Sequence, residues 1–391
     1  MDNFFADFKD NIDDLSFLSQ KIFDYFENID DDKEEEVCDK LIYYIKRKNI
    51  KEDQNKYSSF LHFLAFASLV RPYIKNINQK VIKIINILIE HFELASSFIP
   101  KVIFDIFIKN HYIILHLLQR DIIPIDCLKR ELNRKERFIH LWFFLPEMMY
   151  FPELLSNKDF AQKCTNWDKC CKDIKKSRDN IINVNDLALV MIQNDDIEQF
   201  IQFASQTNLD INTQIENIFN LGMMCDFSLD LFQNLSLIEC SMLFGSLQIF
   251  KYLLLNYASI SDSSLKYAII GGNYEIIHLL ENHHYIFNKE CIEISIIFHQ
   301  QELYEYLVQM KINKNQHSIS RHNLVQIAIS NFNFRCLQKL LNEFQSGFLD
   351  DYQKHEMMEF INPSSMPIFI EYLLKKSYID LKTRTTVLFY Y

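Results

Sequence analysis

Along the second half of the chain, apolar residues fall in short helical stripes, and the stripes recur. Three and seven residues after Ser246 stand Ile249 and Leu253; after Asn273, Ile276 and Leu280; after Gln300, Leu303 and Leu307; after Asn333, Cys336 and Leu340. Asn194 with Ile197 and Ile201 fits the same frame upstream. That i, i+4 pairing is the inner stripe of a short amphipathic helix. Ser246, Asn273, Asn333 and Asn194 are residue types that cap a helix N-terminus, and Gln300 takes their place in one copy. Gly245 and Gly272 stand just before the cap, where a tight turn between helices demands a positive φ. Four residues before each turn position stand Ser241, Ala268, Ser295 and Ala328, small enough to let a preceding helix approach its neighbour. Each unit therefore reads as helix, tight turn, helix, loop, with copies 27, 27 and 33 residues apart.

In the first half, apolar spacing predicts helices over 15–29, 35–48, 57–70, 79–92, 102–118 and 138–150, without a clean repeat. The run Val81–Ile89 is apolar nearly all round its helix, which predicts deep burial. The segment 110–118 echoes the second-helix stripe. A polar stretch at 160–182, crowded with Lys163, Lys169, Lys172, Lys175, Lys176 and Arg178, marks the expected boundary. The expected division is a helical region over 1–180, possessing divergent repeats or none, and a repeat array over 181–391.

The best copy is the run Ala268-Ile269-Ile270-Gly271-Gly272-Asn273-Tyr274-Glu275-Ile276-Ile277-His278-Leu279-Leu280. It resembles the ankyrin repeat: small residue, Gly-Asn turn, then Glu-Ile-Ile-x-Leu-Leu. Leu209-Asp210-Ile211-Asn212 is similar to that family's loop. The short spacing and the long helical first half resemble the degenerate ankyrin families of parasitic protists that carry a domain of unknown function. The fold class expected is all-α, a helical solenoid of ankyrin-like helix-turn-helix repeats beside a helical N-terminal region. The period of 27 predicts short loops instead of full β-hairpin fingers. A further unit is expected around 212–232, another second helix over 370–374 after Ser365 and Pro367, and a repeat opening at 386–390 that is cut before its helix is complete.

Composition removes several function classes. The chain has 391 residues and only five glycines, so no Gly-rich phosphate loop or dinucleotide turn is present. A net charge of −11 argues against nucleic-acid binding through overall positive charge. Nine cysteines without paired spacing do not form a disulfide framework, and no apolar run reaches the length of a membrane span. Together these predict a cytoplasmic protein with no cofactor.

The candidates for chemistry are thin. Cys164, Cys170 and Cys171 lack the second pair a zinc knuckle needs. His355-Glu356-Met357-Met358-Glu359 lacks the second histidine of a helical zinc motif. His278 is expected on the outer face of a second helix, with His283 and His284 in the loop after it. The basic stretches 129–137 and 163–178 read as solvated faces. No spacing places a nucleophile beside a base.

The function expected is therefore non-enzymatic: a scaffold or adaptor taking a protein partner on a concave face. Transferred by position, the ankyrin resemblance implies contacts at Phe244, Gly271, Phe298 and Asn331, just before the turn, and at Lys266, Glu293 and Gln326, nearer the first-helix start. Two alternatives stand beside it: an adaptor array attached to an N-terminal enzymatic domain, and a structural protein that self-assembles.

Overall fold

A computed structural model describes residues 2–27, 34–70, 74, 77–131, 143–148, 167–178, 187–216, 231–232, 234–313 and 321–343. The architecture is all-α. Among the described residues the one strand pairing is two residues long, Gln214–Ile215 antiparallel to Leu235–Ser236. The chain forms two compact units, Met1–Lys80 with Asp262–Tyr391, and Val81–Ser261.

The first unit contains three helix pairs. Each is identified here by the residue of its turn: Leu265–Gly271 and Tyr274–Asn282 (Gly272 pair), Lys289–Ile297 and Gln301–Asn313 (His299 pair), Arg321–Ser330 and Phe334–Glu343 (Phe332 pair). The first helices pack side by side. Ala268, Ser295 and Ala328 are buried there, so the small residues sit where helices meet. All eight stripe residues from Ile249 to Leu340 are buried, six of them in this unit.

The same unit contains the N-terminal helices α1 (Asp2–Glu27), α2 (Glu34–Arg47) and α3 (Gln54–Ala67). α1 lies along the second helix of the Phe332 pair. Its stripe of Ile12, Leu15, Leu18, Ile22, Tyr25 and Phe26 is fully buried. Gln338 ties the two together: its amide donates to Asp13 at 2.7 Å and its carbonyl accepts from the Ser16 hydroxyl at 2.9 Å. Asp53 caps α3 by accepting from the N–H groups of Asn55 and Lys56. The last described helix pair is thus covered by residues more than 260 positions away in sequence, which no local pattern reveals.

The second unit holds the pairs Leu187–Gln193 and Ile197–Thr207 (Asp195 pair), and Leu237–Phe244 and Leu247–Leu255 (Gly245 pair), packed first helix to first helix. Val81, Ile84, Ile85, Ile87 and Leu88 are all buried, as the all-round apolar pattern predicts. The single helix expected over 102–118 is two, Pro100–Phe107 and His111–Gln119. Asn110 divides them, because its side chain caps the second by accepting from Ile113 N–H.

The segment proposed as a boundary falls inside the second unit, where Trp167–Arg178 is helical. Its face is not uniformly solvated. Lys169, Lys172, Lys175 and Lys176 are exposed, but Arg178 lies over the Phe143 ring at 4.5 Å, pairs with Glu147 at 2.7 Å and donates to the Phe143 carbonyl. The run 138–150 is described only from Phe143, with Leu145–Met148 helical. The expected unit at 212–232 and the readings beyond residue 343 lie largely or wholly outside the described residues.

Candidate functional site: turns and first-helix face

Five helix–helix turns share one backbone device. Asp195, Gly245, Gly272, His299 and Phe332 all take left-handed φ, between 51° and 71°. In four of them the turn residue's N–H bonds three residues back and the next N–H bonds five back. Gly245 donates to Met242 and Ser246 to Ser241; His299 to Ile296 and Gln300 to Ser295. This closes the carbonyls a helix end leaves open. Glycine fills two of the five positions; elsewhere an L-residue accepts a penalty of roughly 1–2 kcal/mol.

The non-glycine turns return side-chain contacts. The Asp195 carboxylate accepts from Gln248 and Ile249 N–H at 3.0–3.1 Å, capping the second helix of the Gly245 pair. His299 Nε2 meets the Asn331 carbonyl at 2.9 Å. Phe332 stacks on His62 of α3, centroids 5.4 Å apart and planes 5° from parallel. Phe23, Phe63, Phe66 and Phe334 complete that aromatic cluster. Burial lowers the His62 imidazole to about 4.

The residue after the turn reaches backwards. Ser246 Oγ donates to Ile192 O at 2.5 Å, Gln300 Nε2 to Ile270 O at 2.8 Å, and Asn333 Nδ2 to Ile296 O at 2.8 Å. Ser246 thus does not cap its own helix, and Gln300 stands in the frame for its reach. Asn333 does both, its Oδ1 accepting from Cys336 N–H. The Asn194 frame needs correcting. Asp196 caps that helix by accepting from Gln199 N–H, Phe200 is the buried residue, and Ile201 is 40% exposed. The cap thus stands two residues after Asn194, directly behind the Asp195 turn.

Lys266, Glu293 and Gln326 each stand six residues before their turn and are half-buried. Lys266 Nζ lies 3.3 Å from Glu290, and Asn323 donates to Glu293 at 3.4 Å. Glu290 and Asn323 both stand nine residues before the next turn, so one contact is repeated between successive first helices. The sequence gives these partners only through that offset. Gly271 and Asn331 are half-buried at the first-helix ends of the same unit, and Phe244 is half-buried in the other unit. Phe298 is 1% exposed and packs into the core, so it is withdrawn as a partner contact.

Residues 255–327 match the model of a domain of unknown function, DUF3447. The DUF3447 span contains the whole Gly272 and His299 pairs and Lys266, Glu293 and Gln326 with them. No curated protein and no solved structure matches the chain.

The second helices carry a different face. His278 is exposed with Nδ1 3.2 Å from Glu281, and His283 and His284 are exposed in the loop beyond. The Tyr306 hydroxyl donates to Glu281 at 2.9 Å; burial first, then that carboxylate, pushes the phenol up to about 12. Glu302 pairs with Arg335 and Glu305 with Lys339, each at 3.0 Å. Among the described residues no three His, Cys, Asp or Glu side chains converge as metal ligands. Cys170 and Cys171 are free thiols; Cys164 and 355–359 lie outside the described residues. No described helix is long and apolar enough to cross a membrane.

Proposed function

We propose that the chain is a non-enzymatic protein-binding module of ankyrin type, an adaptor or scaffold whose first-helix face takes a protein partner. The observation that carries this reading is the row Lys266, Glu293 and Gln326, held at one-repeat spacing by the contacts of Lys266 with Glu290 and Glu293 with Asn323. Repeat arrays use each helix pair mainly to pack its neighbours, which leaves the same face of every pair to solvent and to partners. A face pre-ordered by a lateral ion pair and a lateral hydrogen bond loses less side-chain freedom on binding. The DUF3447 match over the same residues agrees with this assignment to the ankyrin-associated group. The seven described cysteines are all free, which supports a cytoplasmic, reducing location.

The test is site-specific photo-crosslinking. A photoreactive residue is placed singly at 266, 293 or 326, and at 278 on the second-helix face as control. The expected result is one shared adduct from the three first-helix sites and none from 278. Equal adducts from 278, or no shared adduct among the three, refute the assignment.

A further inference from the structure

The helix Trp167–Arg178 of the second unit carries five basic and two acidic residues, in a chain whose net charge is −11. Its inner face is fixed. Cys171 and Ile174 are buried, and Arg178 is held by the Phe143 ring and the Glu147 carboxylate. Lys169, Lys172 and Lys176 recur at i, i+3 and i+7 and are exposed, so they form one outward stripe opposite that face. Asp173 stands beside the stripe, and Asp168 and Lys175 lie on its flank, all three exposed.

Two observations give the stripe a direction. Lys172 has Asp168 four positions before it, and Lys176 has Asp173 three positions before it. At such spacings Lys21 meets Asp24 at 2.7 Å and Lys40 meets Glu36 at 2.5 Å. Among the described residues neither Lys172 nor Lys176 joins an ion pair, so both ammonium groups stay open to a charge from outside. The second observation is size. A helix of 12 residues is about 18 Å long, and charge is screened over roughly 8 Å at physiological salt. A nucleic-acid duplex or an anionic bilayer runs far beyond such a patch and meets a chain that is acidic elsewhere, which repels it. A short acidic segment of a protein stays within the patch.

We propose that Lys169, Lys172 and Lys176 dock a short acidic helix of a partner protein. Carboxylates on one face of such a helix repeat at the same i, i+3, i+7 spacing as the lysines, so three pairs form together. The site lies in a different unit from Lys266, Glu293 and Gln326, and it does not rest on the assignment of that face.

The experiment is fluorescence anisotropy of the full chain with a labelled alanine-based helical peptide bearing glutamates at i, i+3 and i+7. The same peptide with glutamines and a short single-stranded DNA are measured beside it, and phosphatidylserine vesicles by co-sedimentation. The glutamate peptide is expected to bind at least about tenfold tighter than the glutamine peptide at low ionic strength, as three exposed ion pairs together provide. Replacing Lys169, Lys172 and Lys176 by alanine is expected to remove that advantage while the melting temperature stays unchanged. Replacing the exposed Lys46, Lys101 and Lys109 by alanine removes the same charge and is expected to leave peptide binding as it was. No preference for the glutamate peptide, an equal loss in both triple variants, or tighter binding of the DNA or the vesicles overturns the proposal.

Discussion

Gln300 occupies the space that any side chain on Gly272 would need. A β-carbon built on Gly272 would stand 2.8 Å from Gln300 Nε2, which is donating to the Ile270 carbonyl. One residue is thus fixed to glycine twice over, by a φ of 71° and by its neighbour's side chain. Gly272→Ala is expected to destabilise the chain by about 2 kcal/mol, combining the left-handed penalty with the loss of that hydrogen bond. In a Gln300→Ala background the same change is expected to cost only about 1 kcal/mol. Urea melts of the four proteins check this, and full additivity would refute the coupling.

The helix pairs and their inward stripes were readable because both follow from local spacing. Ser241, Ala268, Ser295 and Ala328 signalled close helix approach, and all are buried. The turns were half readable: Gly245 and Gly272 announce a left-handed residue, whereas Asp195, His299 and Phe332 do not. Their compensation comes from the next layer, at Gln248, Asn331 and His62, and a one-dimensional pattern holds no trace of it. Phe298 misled for a related reason. Its place before the turn suggested a surface anchor, but the side chain faces the core.

The Asp195 cap on a neighbouring helix gives a second prediction. Asp195→Ala removes the acceptor for Gln248 and Ile249 N–H and places alanine in left-handed backbone, where aspartate is better tolerated. A loss of about 1–2 kcal/mol is expected, in the range of helix caps. Hydrogen exchange is the sharper readout, because faster exchange is expected at the amides of 248 and 249. Unchanged protection there would show that the contact does not hold the helix end.

A third prediction concerns Asp14, which accepts from Lys48 and Lys56 at 2.5 Å each. Burial alone raises the Asp14 carboxyl, but the two ammonium groups together bring it below its ordinary value. That stabilisation is present above the unfolded value of 3.8 and is lost as pH falls through the lower folded value. Asp14→Asn leaves Lys56, only 5% exposed, with the Lys48 carbonyl but without its carboxylate. A loss of about 3 kcal/mol is expected at neutral pH. Lys56→Met in the same background is expected to recover part of it, because the buried charge is gone; melting curves of the single and double variants decide the matter.

The stack of His62 on Phe332 makes the N-terminal cover sensitive to acid. The imidazole stays neutral in the folded chain down to about pH 4, against 6.5 for an ordinary histidine. Between those values the unfolded chain binds the extra proton, so stability falls as pH drops from about 6.5 to about 4. The full effect is up to about 3 kcal/mol, from 1.36 kcal/mol for each pH unit of displacement. His62→Phe keeps a ring against Phe332 and removes the titrating group, so its loss between pH 7 and pH 4.5 is expected to be smaller than that of the wild type by most of this amount. Phe332→Gly separates the two contributions of the turn: it relieves the left-handed backbone but removes the stack, and a net loss of about 1–2 kcal/mol at pH 7 is expected because burial of a phenyl ring outweighs the strain. Denaturant melts at both pH values test the pair, and a wild type whose stability is flat across the window would show that the half-buried imidazole is not what links the cover to acid.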